Sequence, residues 1–265
     1  MRGLIICLFL LISVSMSAQN TVNQVDAQGK KQGFWTKKDR EGKVIYQGTF
    51  KDDKPVGEMK RFHSNGQVMA LLNYLDNSDV ADAKMFDEKG KLIAKGKYVG
   101  QKKIGEWTYM ADSQIVLTET YNDGMKERTS RRYCKTGELL EESGWKSDKL
   151  NGIYKSHFQD GKIYLECNYR EGRLDGSFRS WSSTGNSELE AWYKDGTRDQ
   201  DWKYYGTDGK LLYVLKFDNG KLLNPEVQDS VEKARSTEFK TKEDRIPDPE
   251  KYMQNPEEYM RLMQK

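Results

Sequence analysis

A glycine–aromatic pattern returns every 23 or 24 residues from Gly33 to Phe217, eight times over, and no other feature of the chain restricts its fold as tightly. Each copy opens with a small residue and an aromatic two places on, as in Gly33-Phe34-Trp35, Gly105-Glu106-Trp107, Gly152-Ile153-Tyr154 and Gly176-Ser177-Phe178. A turn glycine follows in seven copies, at Gly42, Gly66, Gly90, Gly137, Gly161, Gly185 and Gly209. An aromatic closes every copy: Phe50, Tyr74, Tyr98, Tyr121, Trp145, Tyr169, Tyr193 and Phe217. Self-similarity at this period implies a repeat array, in which each unit buries its apolar face only by stacking on its neighbours.

With the opening residue of each repeat as position zero, positions 11, 13, 15 and 17 carry small or apolar side chains, for example Ile163, Leu165, Cys167 and Tyr169. Period two over seven residues predicts a half-buried strand with that row turned inward. The stretch before it, such as Glu106 to Met110, reads as a second strand. Turn pairs such as Asn65-Gly66, Asp160-Gly161 and Asp208-Gly209 join the two, glycine supplying the positive φ of a short hairpin loop. Eight hairpins then give about sixteen antiparallel strands in an all-β, elongated array, one continuous twisted sheet. Pairing position 2 with position 15 sets Trp35 by Gly48, Tyr154 by Cys167 and Phe178 by Ala191, so large side chains lie against small ones. The same register pairs position 5 with position 12, and the opposite face carries Phe62 by Met69, Phe86 by Ile93, Met110 by Val116 and Tyr205 by Leu212. Ala81 and Ala83, Thr129 and Arg131, and Gln200 are read as replacements of the opening glycine or aromatic. Repeats three and five are therefore expected to pack least well.

The ends of the chain differ from the repeats. Met1-Arg2 followed by an apolar run from Leu4 to Val14 and small residues at Ser15, Ser17 and Ala18 predicts a secretory signal over residues 1–18. Residues 19–32 are a lead-in, 33–223 the repeat domain and 224–265 a polar tail. Asn224-Pro225-Glu226, Asp248-Pro249-Glu250 and Asn255-Pro256-Glu257 are helix-entry signatures. They predict short helices over 225–236, 249–254 and 256–264.

Composition narrows the chemistry. With 44 basic against 41 acidic residues there is no electrostatic footprint for nucleic acid. The two histidines, His63 and His157, fall about four repeats apart and have no Cys, His or Asp companions at metal-ligand spacing. The glycine-rich stretch Gly172 to Gly176 precedes a strand rather than a helix, so it is no phosphate cradle. The sequence thus offers no catalytic, cofactor-binding or metal-binding residues. Beyond the predicted signal only Cys134 and Cys167 remain, and the register separates them too far for a disulfide. Aromatics outside the filled face are the positive sign: Tyr164, Trp181 and Trp192 on the sheet, with Tyr252, Met253, Tyr259 and Met260 in the tail, are the candidate partner-binding residues.

Segments such as Tyr98-Val-Gly100-Gln-Lys-Lys-Ile-Gly105-Glu-Trp107 and Tyr169-Arg-Glu-Gly172-Arg-Leu-Asp-Gly176-Ser-Phe178 resemble MORN repeats, and more closely the MORN-variant repeats of the YwqK-type antitoxin family. The resemblance covers about residues 29–223. It implies an elongated hairpin sheet serving as a scaffold or membrane-associated module, without catalytic residues. The reading that follows is an exported, non-enzymatic scaffold of the bacterial cell envelope, periplasmic or secreted, that binds a protein through its sheet. Association with a membrane surface and inhibition of a toxin in the YwqK manner are the alternatives. Open strands at both ends add self-association.

Overall fold

The computed structural model describes residues 22–75 and 78–243, with side chains as far as residue 237. The signal predicted over 1–18 and the helices predicted over 249–254 and 256–264, with Tyr252, Met253, Tyr259 and Met260, lie outside the described residues. The chain forms two compact units, Met1–Lys102 and Lys103–Lys265.

The first unit holds β1 (Gln24–Val25), β2 (Lys31–Lys38), β3 (Val44–Lys51), β4 (Lys54–Phe62), β5 (Val68–Tyr74), β6 (Val80–Phe86) and β7 (Leu92–Val99). The second holds all but the first residue of β8 (Lys102–Ala111), then β9 (Gln114–Asn122), β10 (Met125–Tyr133), β11 (Leu139–Lys146), β12 (Lys149–His157) and β13 (Ile163–Arg170). It continues through β14 (Arg173–Trp181), β15 (Ser187–Lys194), β16 (Thr197–Tyr205), β17 (Leu211–Asp218), β18 (Lys221–Leu222) and the helix α1 (Pro225–Glu243). Within each unit every strand pairs antiparallel with its neighbours in the chain. The eight repeats supply β2 to β17. The two-residue strands β1 and β18 are stubs at the ends of the series.

Two kinds of turn alternate. Inside a repeat the loop is three residues long: Phe158 N–H donates to Lys162 O at 2.8 Å and Gly161 N–H donates to Phe158 O at 3.0 Å, with Gly161 left-handed. That is the turn the Asp-Gly and Asn-Gly pairs predict. Repeat four lacks the glycine because it uses a two-residue loop with both Asp112 and Ser113 at positive φ. Between most repeats the loops are again two residues with both at positive φ, as at Asp52-Asp53, Ser147-Asp148 and Glu171-Gly172. Such turns match the right-handed twist of the strands they join.

The register is right in the middle of most hairpins and wrong near the loop. Trp35 faces Gly48, Tyr154 faces Cys167 and Phe178 faces Ala191. A β-bulge then displaces the pairing by one residue in all eight hairpins. Phe62 meets Val68 rather than Met69, Phe86 meets Leu92 rather than Ile93, Met110 meets Ile115 rather than Val116, and Tyr205 meets Leu211 rather than Leu212. Position 5 thus pairs with position 11, and position 11 leaves the inward row to join the opposite face. The sequence carried a sign of this: runs such as Leu92-Ile93-Ala94, Ile163-Tyr164-Leu165 and Leu211-Leu212-Tyr213 are apolar three times in succession, which strict alternation does not explain.

A second irregularity lies where consecutive repeats meet. Cys167 pairs with Phe178 and Tyr169 with Leu174, so three residues of β14 stand opposite Asn168 alone. The opening residue is left-handed in most repeats, with φ of 67° at Gly33, 93° at Gly152 and 111° at Gly176. In repeat five the left-handed residue is Arg128, not Thr129, and Ser130 rather than Arg131 stands opposite Ser143. Repeat three shows the converse. Ala81 has no left-handed φ, and β5 pairs with β6 without a bulge. Its alanines are well covered, Ala81 at 1% and Ala83 at 2% exposure. Over Ala70, nonetheless, Met59, Leu72, Tyr74, Met85 and Tyr98 line a hollow of about 430 Å³.

The core lies on one face. In repeats seven and eight Phe178, Tyr193, Trp202 and Phe217 follow one another with ring centroids 5.1–5.6 Å apart in tilted or edge-on contact. Each such pair contributes about 0.5–1.5 kcal/mol beyond its buried area. Val227 of α1 packs on this cluster. The helix runs seven residues past the predicted end at 236. Asn224, the expected cap, is used differently: its Oδ1 accepts from Lys216 N–H at 2.8 Å and its Nδ2 donates to Val214 O at 2.9 Å. At the start of the first unit Asn23 does the same to Thr36, accepting from N–H at 2.8 Å and donating to O at 3.1 Å. An asparagine amide presents the same donor and acceptor as a peptide, so each satisfies backbone groups that an end strand would leave unpaired.

Candidate interaction surface

The filled face neutralises its own charges. The residue two places before each opening position also points to this face, and in four repeats it is a cation. Lys31 Nζ lies 4.9–5.8 Å from the ring centroids of Trp35, Tyr46 and Phe50. Lys103 lies 4.8–5.2 Å from Trp107, Tyr109 and Tyr121. Lys126 covers Trp145 at 4.7 Å, and Arg198 covers Trp202 at the same distance. Aliphatic stems pack on rings while the charge meets the π face.

Among the described residues Glu119 is the one carboxylate buried on this face, at 5% exposure. Lys126 approaches it to 2.5 Å and Tyr121 Oη donates to it at 2.5 Å. Burial alone would raise its pKa, but the bonds from Lys126 and Tyr121 outweigh burial and hold it below the usual carboxylate value. The same arrangement drives the Tyr121 hydroxyl far above its ordinary value, through burial first and then its bond to Glu119. Cys167 sits 1% exposed in its small slot against Tyr154, its thiol pushed up to about 11 by burial. Both Cys134 and Cys167 are free thiols, and Cys134 stands in the loop after β10 rather than on a strand.

The opposite face is the accessible one. Paired residues in an antiparallel ladder share a face, so positions 5 and 11 line a row beside the hairpin loops. In the second unit this row runs Tyr133, His157, Trp181 and Tyr205, with their partners Leu139, Ile163, Ser187 and Leu211. Successive members stand two strands apart, about 10 Å. The bulge residues add to it: Tyr164 is 46% and Leu212 63% exposed. Tyr164 meets Phe158 edge-on at 5.2 Å. Further along the strands the face turns polar, with Arg131 paired to Glu142 at 2.6 Å and Lys155 to Glu166 at 3.0 Å.

Of the predicted surface residues, Tyr164 and Trp181 come together at the same end of β13 and β14, flanking the Leu165–Ser180 pair. Trp192 does not join them. It faces Ser177, four residues along β14 from Trp181 and so roughly 13 Å away. Sequence reasoning put Leu212 on this face but missed Leu211, the actual partner of Tyr205, because alternation assigned Leu211 to the filled face. His63 donates from Nε2 to Phe86 O at 2.9 Å, and His157 lies within the aromatic row with Nδ1 unpartnered. Among the described residues no group of His, Cys, Asp and Glu is arranged to hold a metal ion.

The family described as the MORN repeat variant matches residues 55–76 and 150–171. The first stretch covers the β4–β5 hairpin, and the second the β12–β13 hairpin with the turn that follows it. These are MORN-variant repeats. The bulged hairpin, the left-handed opening glycine and the closing aromatic recur outside the two matched stretches, so the same unit continues along β2 to β17. The MORN-variant unit is a non-catalytic repeat, and its extended sheet suits a scaffold or protein-interaction module. The comparison with curated proteins gave no match.

Proposed function

We propose that this chain is an exported, non-enzymatic scaffold of the bacterial cell envelope that holds a protein partner along the aromatic row of its accessible face. The observation that carries the reading is the exposure of Tyr164 and Leu212 within a row that repeats every two strands. A filled face satisfied by its own cations leaves that row as the apolar surface a partner can bury. Members set about 10 Å apart favour an extended ligand that touches several repeats, each contact adding to the last. The apolar run from Leu4 to Val14 supports export.

The test is cross-linking and affinity capture from cell envelopes with the wild-type chain and with a Tyr164→Ala/Trp181→Ala double variant. Loss of the captured proteins in the variant supports the row as the docking surface. Capture of the same proteins at the same yield rejects it. Flotation with anionic vesicles separates this reading from association with a membrane surface, which would carry the chain into the lipid fraction.

A further inference from the structure

Repeat seven breaks the pattern of its neighbours at a single place on the accessible face. In repeats five and six the basic residue at position 3 pairs with the glutamate opposite it, Arg131 with Glu142 and Lys155 with Glu166. In repeat seven the same register sets Arg179 opposite Glu190. Glu190 turns away, accepting from Tyr205 Oη at 3.0 Å and lying 3.8 Å from Lys203. Among the described residues nothing pairs with the Arg179 guanidinium.

Two substitutions meet at this spot. Position 16 is Asn168 one repeat earlier and Lys216 one repeat later, whereas here it is Trp192, 40% exposed. The opening residue of repeat eight is Gln200, left-handed at φ 58° where most repeats have glycine. Backbone strain of this kind clusters at binding and catalytic sites. Arg179, Glu190, Trp192, Gln200 and Asp201 line a hollow of about 500 Å³ across β14, β15 and β16, within the roughly 300–1,000 Å³ usual for small-ligand sites.

The chemistry of the lining selects a ligand class. Arg179 and Lys203 balance Glu190 and Asp201, so a charged ligand gains little from the local field. A guanidinium, an amide and a carboxylate, Arg179, Gln200 and Asp201, have no hydrogen bonds of their own among the described residues. Together they offer donors and acceptors side by side, which suits hydroxyl groups that both donate and accept. An exposed indole adds an apolar plane for the C–H face of a ring. We propose that this hollow binds a neutral saccharide, the sugar ring stacked on Trp192 and its hydroxyls held by Arg179, Gln200 and Asp201. The hollow is open along the sheet, so it takes a unit within a glycan chain rather than enclosing a monosaccharide. Trp192 stands apart from the protein-docking row, although Tyr205 of that row bonds to Glu190 at the edge of the hollow.

The test is calorimetric titration of the full chain with two uncharged β-1,4-linked probes, cellohexaose and chitohexaose. One of them is expected to bind, with Trp192→Ala weakening it by about tenfold or more. Trp192 serves the fold through its backbone, which pairs with β14 and β16 and whose oxygen accepts from Trp202 Nε1 at 3.2 Å, so removing the side chain leaves those bonds in place. Gln200→Gly gives a second readout: it relieves the left-handed strain, so the chain should resist urea better while binding the probe several-fold more weakly. Trp181→Ala should leave saccharide binding unchanged although it damages the docking row. Absence of binding to both probes at roughly 10 mM, or a Trp192→Ala variant that binds like wild type, overturns the proposal.

Discussion

The opening position of the repeat allows one backbone argument to be tested with substitutions of both signs. Gly152 has φ 93°, Arg128 has φ 63° and Gln200 φ 58°, while Ala81 is not left-handed at all. A side chain in the left-handed region costs about 1–2 kcal/mol. Glycine gives back part of that advantage, roughly 0.5–1 kcal/mol, through its greater freedom in the unfolded chain. Gly152→Ala should therefore destabilise by about 0.5–1 kcal/mol. No neighbouring atom lies within 4 Å of the added Cβ, so the loss is conformational and not steric. Arg128→Gly and Gln200→Gly should each stabilise by about the same amount. Ala81→Gly should destabilise by about 0.5–1 kcal/mol, since that residue gains nothing from positive φ and loses the rigidity of alanine. Urea unfolding followed by circular dichroism, read as shifts in midpoint at unchanged slope, measures all four. A stabilising Ala81→Gly, or destabilisation by both Arg128→Gly and Gln200→Gly, would refute the conformational account of the repeat junction.

Three further outcomes follow from other contacts. Gly144→Ala should cost at least about 1–3 kcal/mol, because its Cβ would lie 2.3 Å from Asn151 O, a backbone atom that cannot step aside; thermal unfolding that is unchanged would contradict the close approach. Glu119 has a lowered pKa, so its bonds stabilise the fold above the ordinary carboxylate range and lose that effect as pH falls through the depressed value. Lys126→Met should thus destabilise by roughly 1–3 kcal/mol near neutral pH, and the gap to wild type should shrink on acidification; a gap constant with pH would count against the pairing. Asn23→Ala with Asn224→Ala uncovers backbone groups at Thr36, Val214 and Lys216, so light scattering should register association that grows with concentration, and a monodisperse double variant would show that the amides do not guard those edges.

Reading from residues alone succeeded where the cause was local. Glycine beside Asp or Asn placed the hairpin loops, and Trp35 against Gly48 or Tyr154 against Cys167 fixed the centre of each hairpin by matching volumes. It erred where the cause was cooperative. A three-residue loop and a twisted strand pair accommodate one extra residue, and Tyr164 or Leu212 became that residue in place of an inward-facing one. Asn224 looked like a helix cap but serves the edge of β17, because unpaired strand groups and helix-start donors compete for the same amide. The docking row was visible in part: Tyr164 and Trp181 stood out as aromatics off the filled face, while Leu211 was hidden by the displaced register.

The sequence by itself determined that the chain repeats, that each repeat is a hairpin and which side chains face one another at its middle, since these follow from period, turn residues and side-chain volume within some two dozen positions. Tertiary structure alone decided the bulges, the pairing of Glu119 with Lys126, and the release of Arg179 from Glu190. Those depend on how neighbouring strands twist and on which of several nearby charges comes closest, quantities set only when the strands are side by side.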